Sequence, residues 1–223
     1  MGDIWVVPSG GGRAERITVH EAYDDRPLWS PDGATLAFDS DRYGNGDVFL
    51  ISAEGGEPVR LTFSSDWDAV QCWEPDGEGV FFYSSRDTSQ SQLYRVSVDG
   101  GLPVRVVRDR AFNAAVSPDG RWIAYVRGRT PWWRKHYRGS ASRDIWIRAR
   151  EGGESYRIVA WKGDDDRPMW NADGTAVPGW PVYAKDPTQP ANVGAEIFAT
   201  PTLADLDGDG TLDVIVSTNE EYG

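Results

Sequence analysis

The sequence predicts an all-β fold, a β-propeller of four-stranded antiparallel blades. A Pro-Asp-Gly turn recurs along the chain, a Gly-Gly turn recurs between its copies, and the composition suits short strands. The first repeat reads PLWSPDGATLAFDSDR from Pro27, VQCWEPDGEGVFFYSSR from Val70 and NAAVSPDGRWIAYVRGR from Asn113, with a weaker copy, PMWNADGTAV, from Pro168. Pro31, Pro75, Pro118 and then Ala172 hold the same place, about 44, 43 and 54 residues apart, which is the period of a propeller blade. With 25 Gly, 14 Pro and 11 Trp, helices are interrupted and pleated aromatic surfaces are favoured.

Each copy reads as strand, tight turn, strand. Proline presets φ at the second turn position, and Asp-Gly tolerates the conformation that closes a hairpin. Leu36-Ala37-Phe38, Val80-Phe81-Phe82 and Trp122-Ile123-Ala124-Tyr125 are the short apolar runs that follow, strands by length and content. The second half-repeat is GDVFLISAEGGEPVRLT from Gly46, SQLYRVSVDGGLPVRVV from Ser91 and RDIWIRAREGGESYRIV from Arg143; GDIWVVPSGGGRAERIT from Gly2 stands alone. The chain therefore opens half-way through a blade, runs through three complete ones and enters another near Asp164. About four or five blades result, either closed by strands from both termini or open and incomplete. An insertion, RGRTPWWRKHYRGSAS, lengthens the third complete blade between its second and third strands. Trp29, Trp73 and Trp170 share one phase and read as core packing. Cys72, the single cysteine, reads as a buried small hydrophobe and excludes an internal disulfide.

Over residues 1–176 these blades resemble the TolB and tricorn-protease type of WD-repeat-like propeller. GDIWVVPSGGGRAERIT, DDRPLWSPDGATLAFDSDRYGNGDVFLISAEGGEPVRLT and YRGSASRDIWI are most similar to the N-terminal propeller of tricorn-like serine peptidases. The resemblance implies a propeller that filters or presents peptides beside a separate C-terminal protease domain. From Val177 the blade pattern stops. Residues 177–223 resemble an FG-GAP or VCBS repeat of integrin-α-like propellers, through GWPV, ATPTLADLDGDG and LDVIV.

A formal net charge of -12 argues against nucleic acid, whose binding depends on cationic side chains displacing counterions. MGDIWVVPSGGG has no basic flank followed by a long apolar run, so neither a signal peptide nor membrane insertion is expected. The compartment stays open, with the resemblance favouring periplasm or secretion. His20 and His136, the only histidines, occupy unrelated repeat positions, and no Gly-x-Ser-x-Gly elbow occurs, so no Ser-His-Asp triad is expected. The reading is a non-catalytic scaffold that binds peptide or protein. The alternatives are the propeller portion of a tricorn-like peptidase, gating substrate access, and a calcium-dependent adhesion-type module. The run Pro131-Trp132-Trp133-Arg134-Lys135-His136-Tyr137-Arg138 reads as intramolecular packing of cations on rings. Asp164-Asp165-Asp166 reads as a solvated loop; with Asp24-Asp25 and Asp66-Trp67-Asp68 at the same phase, it suggests an acidic ring at a channel entrance.

The metal candidate is Asp205, Asp207, Asp209, Thr211 and Asp213. Alternate carboxylates converge where Gly210 lets the loop turn, Thr211 offers its carbonyl, and Asp213 closes a shell of hard oxygens suited to calcium. Such calcium would be structural, pinning a loop. The competing reading is an acidic turn between the strands PTLADL and DVIVST. Chelation is expected to lower the melting temperature of the calcium-loaded chain, and unchanged melting removes calcium.

Overall fold

A computed structural model describes residues 2–128 and 142–158, Pro168 and Trp170, and the strand backbones at 184–185, 194–195, 202–204 and 213–215. The chain divides into two compact units, Met1–Ala176 and Val177–Gly223. Among the described residues the first unit holds three antiparallel four-stranded sheets and a ribbon. The ribbon pairs β1 (Trp5–Val6) with β2 (Glu15–Arg16). The first blade is β3 (Asp24–Trp29), β4 (Thr35–Ser40), β5 (Asp47–Ser52) and β6 (Val59–Arg60). The second is β7 (Asp68–Trp73), β8 (Gly79–Ser84), β9 (Gln92–Ser97) and β10 (Val104–Val107); the third is β11 (Phe112–Val116), β12 (Trp122–Arg127), β13 (Asp144–Ala149) and β14 (Tyr156–Arg157). In each blade the strands pair in sequence order, as the four-stranded propeller reading requires. In the second unit, β15 (Ala184–Lys185) pairs with β16 (Gly194–Ala195), and β17 (Thr202–Ala204) with β18 (Asp213–Ile215).

Each strand points alternate side chains to opposite sheet faces, and here both faces are buried. In β4 and β5, Leu36, Phe38, Phe49 and Ile51 pack with Ile4 and Ile17 of the ribbon side. Their neighbours Ala37 and Val48 pack instead with Val70, Val80, Phe82, Tyr94 and Val96 of the second blade. Phe81 and Leu93, one residue out of phase, join Val107, Ala111, Ile123 and Tyr125 at the second-to-third interface. Cys72 is half-buried against that last cluster, its thiol pushed up to about 12 by burial.

The Pro-Asp-Gly turns repeat atom for atom. Gly33, Gly77 and Gly120 donate N–H to Ser30, Glu74 and Ser117 carbonyls at 2.8–3.0 Å, and only the glycine takes positive φ, at 72°, 76° and 70°. A side chain there would be strained. Ser30 Oγ donates to Asp32 Oδ1 and accepts from the Thr35 N–H; Ser117 does the same with Asp119 and Trp122. These bonds, with the Arg121 N–H, hold the Asp119 carboxyl down at about 2.

The second blade departs from this pattern. Glu74 replaces the serine, is fully buried, and takes a bidentate grip from Arg95 at 2.8 and 2.6 Å. Arg150 of the third blade approaches the same carboxylate at 3.4 Å. The room comes from Gly79: a Cβ there would meet the Glu74 carboxylate and lie 2.9 Å from Arg95 Nε. The first blade carries Thr35 at that place beside its small Ser30.

Trp73 donates its indole N–H to the Leu28 carbonyl at 2.9 Å, and Trp170 to that of Ala115 at 3.1 Å. Trp73 thus staples β7 to the inner strand of the blade before, and the Trp170 indole reaches β11, the inner strand of the third blade. Trp29 sits at the same phase, but the sheet before it is the β1–β2 ribbon, which has no inner strand among the described residues. It is 49% exposed, so the expected core role fails for Trp29.

Removing one partner from a buried, bidentate ion pair costs about 3–5 kcal/mol, and Glu74→Ala is expected to lower unfolding free energy by that order in chemical denaturation. Gly79→Thr alone is expected to destabilise through its clash with Glu74. Adding Glu74→Ser, which recreates the first blade's pairing, is expected to recover stability, and a merely additive double variant would refute the steric account.

Candidate functional site

The loops at the start of the inner strands stand on repeated ion-pair clasps. Asp47, the first residue of β5, accepts Arg60 Nη2 at 2.6 Å, while Arg60 Nε donates to the Thr62 carbonyl at 2.8 Å and Thr62 Oγ1 accepts the Val48 N–H at 2.9 Å. Asp3, Arg16, Thr18 and Ile4 repeat this in the ribbon. In the second blade Gln92 replaces the aspartate: its amide donates to the Arg108 carbonyl, and its oxygen faces Arg105 Nη1 at 3.4 Å. In the first and second blades a second clasp joins the inner strand to the loop after the next strand, Asp24 with Arg42 at 2.9 Å and Asp68 with Arg86 at 2.5 Å. The Arg42 guanidinium lies over Phe49 and that of Arg86 over Tyr94. Burial pushes the Asp47 and Asp68 carboxyls upward against the pull of these arginines.

These clasps overturn the acidic-ring reading for two of its members. Asp24 and Asp68 are buried and consumed by Arg42 and Arg86. Sequence phase placed them correctly along the chain but could not show that their charge is already met. Asp164-Asp165-Asp166 lie outside the described residues.

On the first clasp rests an aromatic surface that sequence reading missed. Tyr43 and Phe63, 64% and 73% exposed, hold the Arg60 guanidinium between them at 4.5 and 4.6 Å. The two loops are tied together: Asn45 Nδ2 donates to the Ser64 carbonyl at 2.6 Å. The exposed indole of Trp67 covers Gly46, where any Cβ would collide with it. Tyr23 covers Gly2 in the same way one repeat earlier. Two exposed aromatics bracketing a cation form the kind of surface enriched at interaction hot spots. The signal was available as G-D-x-(F/W) followed by an aromatic just before the next inner strand.

Nearer the inner strands, β3 bulges between Asp25 and Leu28. Arg26 there has a φ of 52°, a costly conformation for a residue with a Cβ. Its guanidinium reaches Tyr83 Oη at 3.4 Å and Asp39 Oδ2 at 3.6 Å. Asp39 is 1% exposed, stands opposite Asp25 in the strand register, and lies beside the Val70 main chain and the Trp67 indole. Burial, reinforced by the Asp25 charge and opposed by Arg26, raises its carboxyl to about 7.

The profile of the tricorn protease N-terminal beta propeller domain matches residues 1–177. The chain belongs to that family. Tricorn protease homolog 1 of Streptomyces coelicolor is 30% identical over 178 residues, covering 78% of this chain and 17% of its own length. The chain thus spans under a fifth of that relative. A TolB structure from Agrobacterium tumefaciens superposes with a TM-score of 0.62 at 26% identity, over 77% of this chain and 62% of that one. The crystal structure of the tricorn protease gives 0.61 at 24% identity, over 75% of this chain and 17% of that one. The TolB/tricorn resemblance carried by the blade motifs is thereby established for this tricorn-type propeller.

Of the metal candidates, Asp205, Asp207, Asp209 and Thr211 lie outside the described residues. Asp213 opens β18, with its backbone opposite Ala204. Among the described residues no group of three or more His, Cys, Asp or Glu could hold a metal ion, and no helix is long and apolar enough to cross a membrane. His136 and the Trp132-Trp133 insertion also lie outside the described residues.

Asp39 sets a pH dependence. Its folded value, about 7, exceeds the unfolded value near 4, so the native state holds a proton that the unfolded state releases. Its contribution is full below about pH 4 and is lost as pH rises through 7. Asp39→Asn is expected to raise stability at pH 8 by up to about 4 kcal/mol, with the gain shrinking toward pH 4. Equal effects at both pH values in thermal melts would contradict this.

Proposed function

We propose that this chain is the non-catalytic propeller portion of a tricorn-like peptidase, and that it binds peptide segments on its clasped loop face and governs their access to a catalytic centre carried elsewhere. The family match over residues 1–177 carries the reading. The share of the Streptomyces relative that the chain covers, 17%, agrees with a module of a larger enzyme.

Local chemistry supports a binding role. The Nδ1 of His20 accepts the Ala22 N–H at 3.0 Å within its own loop, and the Cys72 thiol, pushed up to about 12, is a poor nucleophile at neutral pH. Tyr43, Arg60 and Phe63 offer an aromatic and cationic surface held rigid by the Asp47 clasp below. Such a surface suits extended peptides, whose main-chain amides and side chains stack on rings without demanding one sequence.

The purified chain is expected to bind fluorescently labelled unstructured peptides without cleaving them. Phe63→Ala combined with Tyr43→Ala is expected to weaken binding at least tenfold in anisotropy titrations while leaving the melting temperature nearly unchanged. Cleavage by the chain alone, or wild-type binding by that variant, would overturn the proposal. If the chain acts as a self-standing scaffold instead, adding a catalytic portion of a tricorn-like enzyme leaves peptide turnover unaffected by the same substitutions.

A further inference from the structure

Between the second and third blades lies a polar cleft of about 570 Å³, lined by Arg105, Arg108, Arg127 and Arg148 with Asp109 and Glu154. Four guanidiniums against two carboxylates are conspicuous in a chain of net charge -12. The repeat shows which substitutions made the cleft. The fifth residue of the third strand is Ile51 in the first blade and Val96 in the second, both buried in the interface with the preceding sheet. In the third blade that residue is Arg148, which crosses to the Val106 carbonyl at 2.8 Å. The residue following the clasp threonine is Val19 in the ribbon and Phe63 in the first blade, both exposed apolar groups. In the second blade, where Val107 replaces the threonine, it is Arg108.

The arginines are not used up by internal partners. Arg127 pairs with Asp109 at 3.1 Å and lies over Trp146 at 4.6 Å. Arg105 has only long contacts, to Asp87 at 3.6 Å and Gln92 at 3.4 Å. The Arg108 side chain makes no hydrogen bond or ion pair with the described residues, and Glu154 makes none either. A guanidinium has five donors in a rigid fork, so most of the cleft's donors meet no partner among the described residues. Replacing a core valine by arginine at an interface carries a desolvation cost that the neighbouring interfaces avoid. An oxyanion that fills the cleft would offset it.

We propose that this cleft is a binding site for a small multivalent oxyanion, bearing phosphate or carboxylate groups, gripped by Arg108 and Arg148 with Arg105 and Arg127 at the flanks. The volume falls within the range of small-ligand sites, and bidentate Arg contacts are the usual means of holding phosphate and carboxylate. The site is separate from the aromatic face around Phe63, and its occupancy does not depend on peptide binding there.

Calorimetric titration of the full chain with inorganic pyrophosphate, and separately with citrate, tests this and distinguishes the two sources of charge. One equivalent of at least one anion is expected to bind, with affinity falling as salt rises. Arg108→Gln, at an exposed position, is expected to weaken binding at least tenfold. Arg148→Met restores an apolar residue at the interface; it is expected to weaken binding comparably while keeping the melting temperature at or above that of the parent chain. No binding of either anion at millimolar concentration, or unchanged affinity in Arg108→Gln, would overturn the proposal.

Discussion

A four-stranded blade has two apolar faces, and in the first and second blades each is buried against a neighbouring sheet. With side chains alternating along a strand, each strand serves two interfaces at once: Phe38 belongs to the ribbon side and Ala37 to the second blade. Polar atoms drawn into those interfaces must be met there, since an unmet buried charge costs several kcal/mol. The Asp–Arg clasps do this at the strand ends. Asp47, Asp24 and Asp68 each bring a buried carboxylate within reach of an arginine whose guanidinium also lies on an aromatic ring. The clasp therefore closes the end of the interface against water and anchors the loop above it.

What could be read from the sequence follows the distinction between local and non-local constraint. The Pro-Asp-Gly turn is local: proline, aspartate and glycine each act within a few residues, so its phase located β3 and β4, β7 and β8, β11 and β12. The Gly-Gly half-repeats located the outer strands for the same reason, including the ribbon that stands alone. The fate of a side chain depends on what lies across the interface. Trp29, Trp73 and Trp170 are equivalent in phase, yet only the latter two find a neighbouring carbonyl. Asp24 and Asp68 looked available because Arg42 and Arg86, each 18 positions along, are invisible to a reading of runs and spacings. The strained Arg26, lodged between Asp39 and Tyr83, left no local trace at all.

Departures from the repeat carry more information than the repeat itself. Glu74 stands in place of serine beside Gly79, where a Cβ would meet its carboxylate, and the pair converts a hydroxyl-capped turn into an ion pair reaching the third blade. Arg148 for valine likewise removes apolar contact from one interface, and a polar cleft takes its place. Both changes sit at the boundary of the second and third blades. That boundary thus carries charge beside its Phe81, Leu93, Ile123 and Tyr125 cluster, where the first-to-second boundary has the apolar Val80, Phe82 and Val96 cluster. Ionic joins respond to pH, salt and bound ions, whereas apolar ones respond chiefly to area.

On this frame the residues that support a loop are distinct from those the loop exposes. Under the loops, the clasp keeps its ion pair in the ribbon and in the first and third blades, Asp3 with Arg16, Asp47 with Arg60 and Asp144 with Arg157, while Gln92 faces Arg105 in the second. Above it, the next residues change freely, from Val19 to Phe63 to Arg108, because they are exposed and their backbone is already fixed. A substitution at Phe63 or Arg108 alters what the face presents with little effect on the sheet below. One at Asp47 removes the base on which the face stands. Loops on a rigid scaffold are where surfaces diverge, and in this tricorn-type propeller the clasp residue, Asp47 in the first blade and Gln92 in the second, lies beneath the position that varies.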